Sequence, residues 1–148
     1  FSSADAVLLA AIIGPMQVAG RIWEYTLGAG LRATQVALVA LILFPLAIGI
    51  LYFSGETWML VIAFIACYGV SNGIMTIARG TITIEIFGRD RYGAVNGALS
   101  APVLASRAVG PLVASLIWTA TGSYDAVVWT LGAIGLAAVG TYILAVKI

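Results

Sequence analysis

The sequence predicts an all-α protein, a polytopic bundle of five membrane-spanning helices in a single transmembrane domain covering residues 1–148. Hydrophobic residues make up 62% of the chain and charged residues only 9%, whereas soluble domains carry about 25% charged residues. In addition, apolar runs of about 20 residues, long enough to cross the roughly 30 Å hydrocarbon layer as helices, recur five times. With seven basic and six acidic residues, the chain cannot cover a soluble exterior, so we expect the lipid bilayer to be its outer solvent.

The apolar runs and the short breaks between them define the predicted helices, which span residues 4–27, 33–53, 58–86, 92–120 and 126–146. The breaks, at 28–32, 54–57, 87–91 and 121–125, combine glycine with polar or charged residues. Runs of this length are unlike the strands of about ten residues that build outer-membrane barrels. Because every break is short, we expect successive helices to be antiparallel neighbours.

Positive charge in the breaks predicts the orientation. When the five helices alternate, one side of the membrane receives Arg21, Arg32, Arg89, Arg91 and Lys147. The opposite side receives Asp5, Glu56 and Asp125. Basic residues favour the cytoplasmic side, so we expect an N-terminus outside and a cytoplasmic C-terminus, in the plasma (inner) membrane. Since the chain begins at Phe1 without methionine, we expect it to be a fragment or a processed product.

Two absences from the sequence exclude several classes of site. Histidine is absent and Cys67 is the only cysteine, whereas zinc, haem and iron–sulfur sites need clusters of these residues. A Ser-His-Asp hydrolase also needs a histidine base. Basic residues form no patch, so nucleic acid is not an expected partner. We therefore expect no enzyme activity, no cofactor and no metal.

Arg107 lies near the middle of the fourth predicted span, about 20 Å from either end at 1.5 Å per residue. A central arginine costs roughly 2.5–3.5 kcal/mol on insertion scales, so it normally faces a bundle interior or a wet cavity and has a partner. The sequence places no acidic residue at this depth. The counter-charge is then water and backbone, a residue of another polypeptide, or an anionic substrate. An architectural ion pair with such a residue is the alternative to a substrate site.

Polar residues form one stripe on the third predicted span and another on the fourth. The stripes consist of Tyr68, Asn72, Met75 and Arg79, and of Asn96, Ser100 and Arg107. Spacings of three, four and seven return to one helix face, so the two stripes predict a shared substrate path, with Arg107 as the main anion contact and the other polar residues as secondary contacts. Interhelical hydrogen bonds, worth about 0.6 kcal/mol each, are the alternative for each Asn or Ser.

Small residues recur at spacings of four in the same two spans. They are Gly69 and Gly73 in the third span, and Gly93, Gly97, Ala101 and Ala105 in the fourth. Small side chains let the backbones of neighbouring membrane helices approach closely. We therefore expect these residues to form helix contacts.

Six segments, at 14–21, 68–73, 79–81, 85–89, 92–93 and 107–111, read GPMQVAGR, YGVSNG, RGT, EIFGR, YG and RAVGP. In this order and spacing the chain resembles the carboxy-terminal half of a major facilitator superfamily transporter, specifically the last five of its twelve helices. Gly20, Arg21, Glu24 and Arg32 are similar to a degenerate copy of the family's cytoplasmic gating loop, with its glycine, acid and basic residues. Tyr25 stands where a basic residue is usual.

The resemblance implies two six-helix halves that rock about a site at the membrane midplane. It implies a secondary active transporter of a small molecule, an organic anion or a drug-like solute, that works by alternating access. The missing N-terminal helices of the same transporter and the small-molecule substrate would then be the partners of this chain. A non-transporting membrane scaffold or assembly subunit is the alternative, and it should tolerate Arg107→Leu.

Overall fold

A computed structural model describes residues 2–146, and its regular structure over that range is entirely helical. The long helices are α1 (Ser3–Thr26), α2 (Ala33–Ser54), α3 (Trp58–Phe87), α4 (Tyr92–Thr121) and α5 (Tyr124–Val146), with a 3-10 turn over Gly28–Gly30. All five are long and apolar enough to cross a membrane. The predicted all-α class with five spans is therefore confirmed, and the helix ends lie within two residues of the predicted spans.

Local side-chain and glycine chemistry sets several helix ends. At the start of α1, the Asp5 N–H donates to the Ser2 hydroxyl at 3.2 Å, and the Ser2 N–H donates to the Asp5 carboxylate at 2.8 Å. α4 ends at Gly122, whose φ of 66° lies in the left-handed region that favours glycine. The Gly122 N–H donates to the carbonyl oxygen of Trp118 at 2.7 Å. The Gly122 cap ends α4 two residues before α5 begins at Tyr124.

The best-buried contact of the bundle lies between α2 and α3. Its core consists of Val36, Ala37, Ala40, Ile74 and Ala78. On α3, the buried Ser71 hydroxyl donates to the carbonyl oxygen of Ala40 on α2 at 2.7 Å. This bond satisfies a hydroxyl that would otherwise meet only hydrocarbon. Small side chains and one interhelical hydrogen bond therefore hold α2 and α3 together.

Successive helices were expected to be neighbours, and this expectation is wrong for α1 and α2. α1 packs mainly against α3, and the short 3-10 turn over Gly28–Gly30 connects it to α2. Glycines cause this close approach, because a Cβ at Gly20 would lie 2.5 Å from the carbonyl oxygen of Val70. A Cβ at Gly73 would overlap the backbone of Gln17, and Gly69 also faces α1. The predicted packing role of Gly69 and Gly73 is confirmed.

α5 packs on α2, whereas α4 is held loosely. Gly135 of α5 is buried beside the ring of Phe44. In contrast, α4 has no buried residue and makes few contacts with α3 and α5. A Cβ at Gly93 or Gly97 would meet nothing within 4 Å among the described residues. The predicted packing of these two small residues is therefore wrong within this part of the chain, because α4 stands apart from α3 along this face.

Charge differs between the two ends of the bundle. Alternation of the helices places Arg32, Arg89 and Arg91 at one end, which we call the basic end, and Glu56 and Asp125 at the other, the acidic end. This is the segregation of charge on which the predicted orientation depends. Lys147, which belongs to the same pattern, lies outside the described residues. The side of the membrane that each end faces stays a prediction.

Candidate functional site

A cavity of about 640 Å³ lies between α2, α3 and α4, and we call it the central cavity. It is lined by Phe44, Tyr68, Asn72, Arg79, Pro102, Val103, Ser106 and Arg107. Four of the six predicted substrate-path residues are thus brought together, from two different helices. The volume falls within the range of roughly 300–1,000 Å³ that small-molecule sites occupy.

Arg107 reaches the central cavity from the middle of α4. The helix runs from Tyr92 to Thr121, so the residue lies about 22 Å from either end at the α-helical rise. Its side chain is exposed, and no residue within 2–146 forms a hydrogen bond or ion pair with its guanidinium. An arginine in the middle of a membrane span normally has a partner or faces water, and the described residues supply no carboxylate to it.

Arg79 lines the same cavity from α3, about 12 Å before the helix ends at Phe87. It too is exposed and has no side-chain partner in the described range. Among the described residues that line the cavity, none is Asp or Glu. The described lining of the cavity therefore carries two positive charges and no negative one.

Aromatic rings form part of the wall of the central cavity. The ring centroids of Phe44 and Tyr68 lie 6.3 Å apart, and Phe64 stacks on Tyr68 with centroids at 5.8 Å and an interplanar angle of 29°. Within the described part of the chain, the Tyr68 hydroxyl and the Asn72 amide have no hydrogen-bond partner. The wall therefore combines flat apolar surface with two polar groups that are free to contact a bound molecule.

The structure does not bring Asn96 and Ser100 to the central cavity. Both are half-buried, and the Ser100 hydroxyl donates to the carbonyl oxygen of Asn96 at 2.7 Å. They share a helix face with Arg107, but they lie roughly 16 and 10 Å from it along α4, toward the basic end. Asn96 and Ser100 therefore lie on the same helix face as Arg107 but at a different depth in the bundle. The expectation that these two residues line the cavity does not hold in this structure.

The four residues predicted to form a gating loop occupy separate environments. Gly20 lies in the contact between α1 and α3, and Arg21 is exposed. Glu24 is half-buried, and its Oε2 atom is buried without a hydrogen-bond partner among the described residues. Arg32 forms its ion pair with Glu85 of α3 rather than with Glu24, with Nε and Oε1 3.6 Å apart.

Glu85 was not selected as a site residue from the sequence, yet it connects α3 to the start of α2. Its Oε2 accepts a hydrogen bond from the Ala33 N–H at 2.8 Å, and its Oε1 accepts one from the Thr34 hydroxyl at 3.5 Å. Tyr142 of α5 donates to the carbonyl oxygen of Thr34 at 2.9 Å. These residues, with Arg32, form a network that joins α2, α3 and α5, which we call the basic-end network.

One sequence signal for Glu85 was available. The residue lies near the end of a long apolar run, at the same side of the bundle as the start of the second span. The first N–H groups of a helix lack intrahelical partners and attract carboxylates. An acid facing a neighbouring helix N-terminus could therefore have been anticipated.

The fold and its five apolar spans define a helical integral membrane protein. No family model, no curated protein and no solved structure matches the chain. The function is therefore inferred from the chemistry of the central cavity and from the packing of the helices around it.

Proposed function

We propose that the protein is a secondary active transporter that moves a small molecule across a membrane by alternating access, and that the central cavity is part of its substrate path. The observation that carries this proposal is the meeting of Arg107 and Arg79 in one cavity with no facing carboxylate among the described residues. Ionisable residues inside a membrane are costly, and they typically mark substrate or ion pathways.

Differences in helix packing also support a moving part. α2 and α3 share a buried core and α1 fits closely against α3, whereas α4 has no buried residue. A helix with few buried contacts can shift at low energetic cost, and α4 is the helix that carries Arg107. We propose that the basic end faces the cytoplasm in the plasma (inner) membrane. Further helices of the same protein would complete the path, as in the major facilitator superfamily transporters that the chain resembles.

A non-transporting scaffold or assembly subunit is the second candidate, and the exposed small residues of α4 favour it. Gly93 and Gly97 leave room for the close approach of another helix. In that case these glycines would carry the contact with the assembly partner. Such a subunit should tolerate Arg107→Leu, because it has no transport path to lose.

The experiment that separates the two candidates is labelling of a cysteine in the cavity from both sides of the membrane. In the full protein with Cys67→Ser, Asn72→Cys is exposed to a membrane-impermeant maleimide in right-side-out and in inside-out vesicles. A transporter gives labelling of Asn72→Cys from both sides, because the cavity opens alternately. The matched control, Ala29→Cys in the exposed turn at the basic end, should react from one side only. Labelling of Asn72→Cys from one side, or from neither, contradicts transport.

A further inference from the structure

The central cavity adjoins a second, apolar compartment. This compartment has a volume of about 250 Å³ and is lined by Leu41, Met75, Ile134 and neighbouring small residues of α2 and α5. Phe44, Tyr68 and Asn72 line both spaces. The two spaces therefore adjoin at these three residues.

The polar groups of the two spaces are distributed unevenly. Both guanidiniums lie in the central cavity, and neither lines the apolar compartment. An arginine guanidinium binds a carboxylate through two parallel hydrogen bonds, which a lysine or a neutral donor does not reproduce. The central cavity is therefore suited to an anionic group and the adjoining compartment to an apolar body.

The boundary between the two spaces is aromatic. Tyr68 is stacked from one side by Phe64 and lies 6.3 Å from Phe44, centroid to centroid. Aromatic rings gain about 0.5–1.5 kcal/mol from further ring contacts, beyond the area they bury. A flat aromatic ring of a ligand can stack on Phe44 and Tyr68, which line both the arginine-lined cavity and the apolar compartment.

We propose that the substrate is an aromatic organic anion, with its carboxylate at Arg79 and Arg107 and its ring against Phe44 and Tyr68. This inference rests on the proposed transport function and adds the class of substrate to it. Organic cations are disfavoured, because two guanidiniums repel them and no described carboxylate in the lining attracts them. A small anion without a ring would leave the aromatic wall uncovered and bind more weakly.

The test compares three probes that separate charge from shape. They are 2-naphthoate, (2-naphthylmethyl)trimethylammonium and acetate, offered to the full protein in sealed vesicles of phosphatidylcholine. We expect saturable uptake of 2-naphthoate above that of protein-free vesicles, and neither of the other two probes should compete with it at equal concentration. A second set of vesicles contains phosphatidylglycerol, because an anionic lipid presents the same chemistry of anion plus apolar body.

Variants of the two arginines identify the contacts. Arg79→Gln and Arg107→Gln should each raise the concentration for half-maximal 2-naphthoate uptake about ten-fold or more, as expected for the loss of a charged hydrogen bond. Arg107→Lys should recover part of the loss at position 107, because it restores the positive charge but not the two parallel hydrogen bonds. Arg91→Gln is the matched control, since Arg91 is an exposed arginine outside both compartments.

The outcomes distinguish this proposal from the one on which it rests. Uptake of the naphthyl cation instead of 2-naphthoate overturns the substrate class and leaves the transport function standing. Uptake of none of the probes, together with labelling of Asn72→Cys from both sides, also overturns the substrate class alone. Loss of 2-naphthoate uptake in vesicles with phosphatidylglycerol assigns the cavity to a lipid headgroup and overturns the proposal. Labelling from one side only overturns the transport function itself.

Discussion

The carboxylate of Glu85, near the end of α3, accepts a hydrogen bond at 2.8 Å from the backbone N–H of Ala33, the first residue of α2. The bond caps one helix with a side chain from another, and Arg32 adds an ion pair to the same carboxylate. The side chain of Arg32 is 78% exposed, whereas that of Glu85 is 29% exposed. The cap and the ion pair should therefore contribute differently to stability.

We expect Glu85→Ala to lower the free energy of unfolding by about 1 kcal/mol, the typical effect of losing a helix N-terminal cap. Arg32→Ala should change it by less than about 1 kcal/mol, since an exposed ion pair contributes little. Thermal unfolding in detergent, followed by tryptophan fluorescence, measures both. Asp90→Ala, at an exposed position outside the network, is the control. Equal losses for the Arg32 and Glu85 variants would show that the ion pair dominates.

Tyr142→Phe removes the hydrogen bond from α5 to the carbonyl oxygen of Thr34 and leaves the ring in place. Hydrogen bonds between membrane helices contribute about 0.6 kcal/mol on average, so we expect a loss of that order in the same unfolding measurement. Tyr25→Phe is the matched control, because Tyr25 is 83% exposed. An unchanged stability for Tyr142→Phe would mean that the bond adds nothing to the docking of α5.

Gly73→Ala tests the contact between α1 and α3. A Cβ there would overlap the backbone of Gln17, and overpacking of this kind costs about 1–3 kcal/mol. Gly140→Ala is the control, because nothing lies within 4 Å of a Cβ at that position among the described residues. Alanine favours a helix interior over glycine by about 0.5–1 kcal/mol, so the control should be neutral or more stable. If both variants unfold alike, α1 does not pack against α3 at Gly73.

Arg107→Leu tests the role of Arg107 in the uptake of 2-naphthoate. In a transporter this change removes the mid-membrane cation from the path while it lowers the cost of insertion. We therefore expect normal amounts of protein in the membrane and loss of 2-naphthoate uptake. Immunoblotting of membranes and vesicle uptake measure the two quantities. Uptake that matches the unaltered protein would contradict a role for Arg107 in the path.

The sequence predicted the five helices because each is a long apolar run, and run length is a property of the chain alone. It did not predict that α1 packs against α3, since that choice depends on which faces meet around Gly20, Gly69 and Gly73. The gathering of Tyr68, Asn72, Arg79 and Arg107 followed from helical spacing. The shared helix face did not bring Asn96 and Ser100 to the cavity, because they lie roughly 16 and 10 Å from Arg107 along the helix axis.

The most direct test of a polar path at mid-membrane is chemical modification of Arg107 itself. p-Hydroxyphenylglyoxal, a hydrophilic reagent selective for guanidinium groups, is applied to the full protein in sealed vesicles, and the modified arginines are located by mass spectrometry. We predict that Arg107 reacts at a rate comparable to that of the exposed Arg91, and that 2-naphthoate slows the reaction of Arg107 and Arg79 but not that of Arg91. An Arg107 that stays unmodified while Arg91 reacts fully would contradict the account.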